Sequence, residues 1–169
     1  MFVRMRVSGL TVDPFTNAPI IILKDLENKK ALPIWIGILE ASAIATEIEK
    51  ITFSRPMTHD LMRNILGCVD ATVDKVEVND IKDNVYYATI HMTAAGVTHR
   101  IDARPSDAIA LALRTESPIY VDTRVLDKSR KIDLSGDAGA GGSGGEKSSK
   151  EWLDMLDALS PEDFGKYKM

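Results

Sequence analysis

Residues 136 to 150, GDAGAGGSGGEKSSK, contain no apolar side chain larger than alanine, so no core can be built from them. A stretch of this composition cannot bury enough apolar surface to offset the entropy of ordering it. It therefore divides the chain. Residues 1–130 must supply the folded domain, and residues 131–150 read as a flexible linker rich in glycine and serine. Residues 151–169 read as a short amphipathic helix and tail, with Trp152, Leu153, Leu156 and Leu159 as its apolar positions and Ser160-Pro161 as its stop. A helix this short is marginal alone, so its apolar side is expected to dock, with a protein partner as one possibility.

Inside the first 130 residues the periodicity changes several times. Phe2 to Val12 alternates, with Val3, Met5 and Val7 on one face and Arg4, Arg6 and Ser8 on the other, which predicts a strand with one buried side. A second strand over Pro19 to Leu23 and a third through Trp35 follow, separated by the turn Glu27-Asn28-Lys29-Lys30. From Leu39 to Ile51 the apolar positions shift to helical spacing, leaving Glu40, Glu47 and Lys50 on what reads as a solvated face. A second helix follows Pro56, with Leu61, Met62, Ile65 and Leu66 as its apolar positions and Gly67 as a left-handed stop. Three strand-like runs come next, around Val73 to Val78, Val85 to Met92 and Val97 to Ile101, with breaks at Asn79-Asp80 and Ala95-Gly96. Pro105 to Thr115 is a helix apolar on most sides, hence buried, and Ile119 to Val121 is a last short strand. Six to seven strands and three helices in one domain make an α+β protein.

Charge and composition narrow the functional classes. Residues 1–130 carry 16 Lys and Arg against 17 Asp and Glu, so the domain lacks the basic excess of a generic nucleic-acid binder. Any phosphate site must be local or assisted by a metal ion. The apolar stretch ALPIWIGILEASAIA at 31 to 45 contains Glu40 and is shorter than the ~20 residues a bilayer requires. With no secretory pattern at the N-terminus, a cytoplasmic, non-membrane protein is expected. Cys68 is the only cysteine, which excludes an intrachain disulfide and a multi-cysteine zinc site; at a helix end it reads as a buried, inert thiol.

The local features with chemical content cluster at two Arg-Pro pairs, Arg55-Pro56 and Arg104-Pro105. Proline suits the first turn of a helix, the free N–H groups there attract anions, and arginine adds a fork shaped for phosphate. The competing reading is that each arginine pairs with a local carboxylate and fixes a loop. Asp102 and Asp107 flank Arg104 and could hold a magnesium-like ion, although an acid in a first helical turn also complements the helix dipole without any ligand. Glu40 and Glu47 stand seven residues apart, roughly 10 Å along a helix, against the ~4 Å between paired catalytic metals. Glu40 would therefore need partners from elsewhere. His59 and Asp60, on the polar side of the second helix, are candidates to activate water. His91 reads as structural, and His99, in phase with Val97 and Ile101, as a hydrogen-bonded core histidine. No glycine-rich phosphate loop, nucleophile elbow or HExxH pattern is present.

Three segments, PIWIGILEASAIA at 33 to 45, RPMTHDLM at 55 to 62 and DARPSDAIALALRT at 102 to 115, occur together in an order that resembles the bifunctional nuclease domain family. The likeness covers approximately residues 2 to 130, and SPEDFGKYKM resembles the tail of bacterial members. The resemblance implies a mixed sheet, a homodimer, and the degradation of DNA and RNA attributed to plant relatives, which can carry an extra C-terminal interaction motif that is not read in the present residues. It supplies no established catalytic set, so the residue roles rest on chemistry. The leading expectation is a metal-assisted phosphodiesterase. Asp102, Asp107 and Glu40 would bind Mg2+ or Mn2+, His59 or Asp60 would activate water, and Arg55 and Arg104 would hold phosphate. The alternative is a non-catalytic module that binds an anionic ligand or a protein.

Overall fold

Two antiparallel meanders and one short strand build the sheet. The computed structural model describes residues 1–135, residues 130–135 by backbone alone. The linker and tail helix read from the sequence fall outside the described residues. The first meander is β1 (Phe2–Val12), β2 (Pro19–Asp25) and β3 (Ala31–Trp35), followed by α1 (Ile38–Ile48) and α2 (Thr58–Cys68). The second is β4 (Thr72–Lys82), β5 (Val85–Ala94) and β6 (Val97–Ala103), followed by α3 (Pro105–Thr115), β7 (Ile119–Asp122) and α4 (Thr123–Ser135). β7 lies between the meanders, antiparallel to β1 and parallel to β4, giving the order β3-β2-β1-β7-β4-β5-β6. A parallel pair needs a long crossover, and β5, β6 and α3 supply it. The α+β fold with a seven-stranded mixed sheet is therefore present, and α4 adds a fourth helix.

Alternate residues of the strands form one cluster with three of the helices. Met5, Ile21, Leu23, Val76, Val78 and Val121 pack with Ile44 of α1, Ile109 of α3 and Val125 of α4. Each such side chain stabilises the fold by roughly 1.5–3 kcal/mol relative to leaving it exposed. α3 is buried from Pro105 to Ala112 on most sides, as its composition predicts. The opposite face of the sheet is polar along β4 and β5, where Lys75, Glu77, Thr89 and His91 lie. There Glu77 is buried but satisfied: Lys75 Nζ and His91 Nε2 lie 2.6 and 2.8 Å from its oxygens. His91 is structural, as expected.

Several local expectations are corrected. β4 passes through Asn79 and Asp80, with a bulge between Val78 and Asp80 absorbing the irregularity. The turn falls at Asp83 and Asn84, both at positive φ, which matches the twist of a two-residue hairpin. Gly67 lies inside α2; the left-handed residue after it is Asp70 (φ 50°), and Ala71 N–H donates to Leu66 O to close the end. Cys68 is exposed. His99 is exposed too, because β6 is an edge strand on which Val97 and Ile101 are also open. Glu40 and Glu47 are mostly covered rather than solvated, since both face arginines. Arg55-Pro56 does not open α2, which starts two residues later with Met57 as its cap, whereas Arg104-Pro105 opens α3 as expected.

Candidate active site

α3 lies between α1 and α2, and its first turn brings residues from all three helices together. Arg104 caps α3, Pro105 occupies the first helical position, and Asp107 completes the turn. Arg104 Nε donates to Asp107 Oδ2 at 2.8 Å, while its Nη1 lies 2.8 Å from Glu40 Oε1 of α1. Asp107 uses its other oxygen on α2: Oδ1 is 3.2 Å from His59 Nε2. A carboxylate oxygen only accepts, so in this contact His59 Nε2 is the donor. The hydrogen bond and the charge of Asp107 hold the Arg104 guanidinium above its ordinary value, with Glu40 adding to it.

Glu40 reaches this position because Gly37 leaves room. Gly37 precedes α1, and a β-carbon there would collide with the carboxylate of Glu40. His59 reaches its position because α2 is clamped behind it. Arg114, near the end of α3, has a side chain only 2% exposed, and its Nε donates to Asp60 Oδ1 at 2.6 Å. Its Nη1 donates to Ala110 O at 3.0 Å, and Glu47 of α1 stands 4.0 Å away. Asp60 Oδ2 accepts the Met57 N–H, capping α2. Burial opposes the charge on Asp60, but the hydrogen bonds from Arg114 and Met57 outweigh it and keep its carboxyl below the ordinary range.

The result is a cavity of about 350 Å³ lined by Glu40, His59, Arg104 and Asp107, with Leu39, Phe53 and Met57 among its apolar walls. Four of the residues singled out in the sequence thus meet. The others do not join them. Asp60 has both oxygens engaged elsewhere and does not line the cavity. Asp102 pairs with Thr89 across β5 and β6, whose side of the sheet is away from the helices. Arg55 is exposed in the loop before α2 and has no ion-pair partner among the described residues. No group of three or more His, Cys, Asp or Glu among the described residues is spaced to hold a metal ion. The sequence reading missed Arg114, whose only signal was a lone cation near the end of a mostly apolar helix.

The site is thus an imidazole held by a carboxylate, beside a guanidinium, in one cavity among three helices. The chain carrying it belongs to the bifunctional nuclease domain family, whose profile matches residues 21–133. Among similar proteins is an uncharacterized protein of Mycobacterium tuberculosis, 34% identical over 161 residues, covering 95% of this chain and 96% of the relative. Bifunctional nuclease 1 of Oryza sativa is 26% identical over 110 residues, which is 62% of this chain but 33% of the rice protein. No helix among the described residues is long and apolar enough to cross a membrane.

Proposed function

We propose that this domain hydrolyses phosphodiester bonds of nucleic acid in the cavity between α1, α2 and α3. The observation that carries the reading is the His59–Asp107–Arg104 array, in a chain of the bifunctional nuclease family. Asp107 fixes the tautomer and orientation of His59, leaving Nδ1 to take a proton from an attacking water or sugar hydroxyl. Arg104 is 68% exposed, and the N–H donors that Glu40 and Asp107 do not use are available to a phosphoryl oxygen. Between the two candidate bases, His59 is favoured over Asp60 because Asp60 is committed to Arg114. Arg55 does not line the cavity and would act on more distant phosphates.

The expected Mg2+ or Mn2+ does not fit a ready-made set of carboxylates. Glu40 and Asp107 both give an oxygen to Arg104, and Asp102 stands apart. Comparing cleavage with EDTA and with added magnesium or manganese tests the requirement directly. The domain acts as a homodimer in this reading, joined through the outer face of α2. There Leu61, Met62, Ile65 and Val69 are exposed, and His59 is the helix's buried residue.

The test is cleavage of labelled RNA and single-stranded DNA by the purified protein. His59→Ala and Asp107→Asn should each lower the rate about 100-fold or more, the range of general acid–base catalysis. Undiminished cleavage by both variants would rule out this site. One observation favours a binding module instead: Arg104 is already neutralised by two carboxylates. Nucleic-acid binding without hydrolysis under any metal condition would select that reading.

A further inference from the structure

We propose that Trp35 and Phe53 are base-stacking subsites on opposite sides of Arg104, so that the strand accepted by this site is unpaired. The inference rests on the nucleic-acid reading above and names the form of substrate that the same cavity takes. A second cavity, of about 360 Å³, adjoins the first and is lined by Trp35, Ile36, Asn84 and Pro105. Both cavities share Glu40 and Arg104, which are joined by an ion pair. Each is near the lower end of the roughly 300–1,000 Å³ range of ligand sites. One small ring system in each suits that size better than one large ligand.

The aromatic residue of each cavity is open to solvent. Trp35 is 47% exposed and Phe53 is 50% exposed. The Trp35 indole is held in one orientation. Its Nε1 donates to Asp13 Oδ2 at 2.9 Å, and Asp13 Oδ1 is itself anchored by the Phe15 and Thr16 backbone N–H groups. The ring is thus held from one edge by a braced carboxylate, which removes much of the ordering cost of binding against it. Phe53 stands with Leu39 and Met57 in the wall of the first cavity.

Two exposed aromatic faces with a guanidinium between them match the chemistry of a single strand, whose bases offer π-faces on a charged backbone. A duplex keeps its bases stacked on one another and presents none to Trp35 or Phe53.

The sequence has two tryptophans, so Trp152→Phe in the full-length chain leaves Trp35 as the sole indole reporter. That protein is titrated with a hydrolysis-resistant phosphorothioate oligothymidylate and with a duplex of equal length. Saturable quenching by the single strand and little by the duplex is expected. Trp35→Ala and Phe53→Ala should each weaken single-strand binding about tenfold, within the range of base–aromatic stacking. Trp35→Phe, which keeps a ring, should retain most of the affinity, and unchanged melting temperatures exclude misfolding. If the chain cleaves RNA but the alanine variants bind and cleave like the parent, the subsites are wrong and the nuclease reading stands. If the parent neither binds nor cleaves any nucleic acid, the nuclease reading fails first and the subsites with it.

Discussion

Removing the Arg114 guanidinium should destabilise the domain by about 3 kcal/mol. Breaking a buried ion pair by deleting one partner costs roughly 3–5 kcal/mol, because the other charge stays behind without compensation. Here the acids left behind are Asp60 and Glu47, 23% and 18% exposed, so water relieves part of that penalty and the lower end applies. Arg114→Met keeps the aliphatic stem in place and removes the bonds to Asp60 and the Ala110 carbonyl. Asp60→Asn leaves the better-buried charge behind and should cost as much or more. In the double variant neither member of the Arg114–Asp60 pair is left as an unpaired charge and only the weaker Glu47 contact is orphaned, so the summed losses should exceed the measured one by about 2 kcal/mol. Urea unfolding reads all three, with the midpoint falling and the slope constant. Losses under about 1 kcal/mol, or strict additivity, would refute the claim that this pair clamps α2 onto α3.

Two further outcomes follow from the same structure. The hydrogen bonds from Arg124 pull the Asp122 carboxyl down to about 2 from 3.8. A depressed carboxylate contributes stability that is present above pH 3.8 and is lost as the pH falls toward 2. Asp122→Asn should therefore flatten the acid limb of the stability curve between about pH 4 and pH 2, and an unchanged limb would contradict it. Ile65→Glu, on the outer face of α2, should convert a homodimer to a monomer in sedimentation without moving the acid limb. A wild-type chain that sediments as a monomer at all concentrations would remove the dimer.

What the sequence made legible was local. The alternation of β1, the helical spacing of α1 and the apolar wrap of α3 each follow from residues within one element. So does the convergence of Arg104 with Asp107, three positions away. What it hid depends on partners distant in the chain. Arg114 shows its meaning only when Asp60, 54 residues earlier, is laid against it. His99 keeps the right alternation, yet β6 is an edge strand, so being in phase with Ile101 buries neither of them. The Asn79-Asp80 pair carries turn chemistry, but β5 continues alongside it and the ladder accommodates a bulge instead. Asp102 and Arg55 were drawn into one site by proximity to its motifs, while pairing to Thr89 and a later start of α2 place them elsewhere.

The position of β7 has a consequence for how the molecule is made. It has four residues, it is the last strand among the described residues, and it is flanked by β1 and β4. During synthesis from the N-terminus, the two three-stranded meanders emerge first, with no strand to join them edge to edge. They become one sheet only after residue 122 has left the ribosome, when a short keystone closes a pairing with Phe2, more than a hundred residues away. Such long-range closure is slow, and until it occurs the inner edges of both meanders are open to any other extended chain nearby.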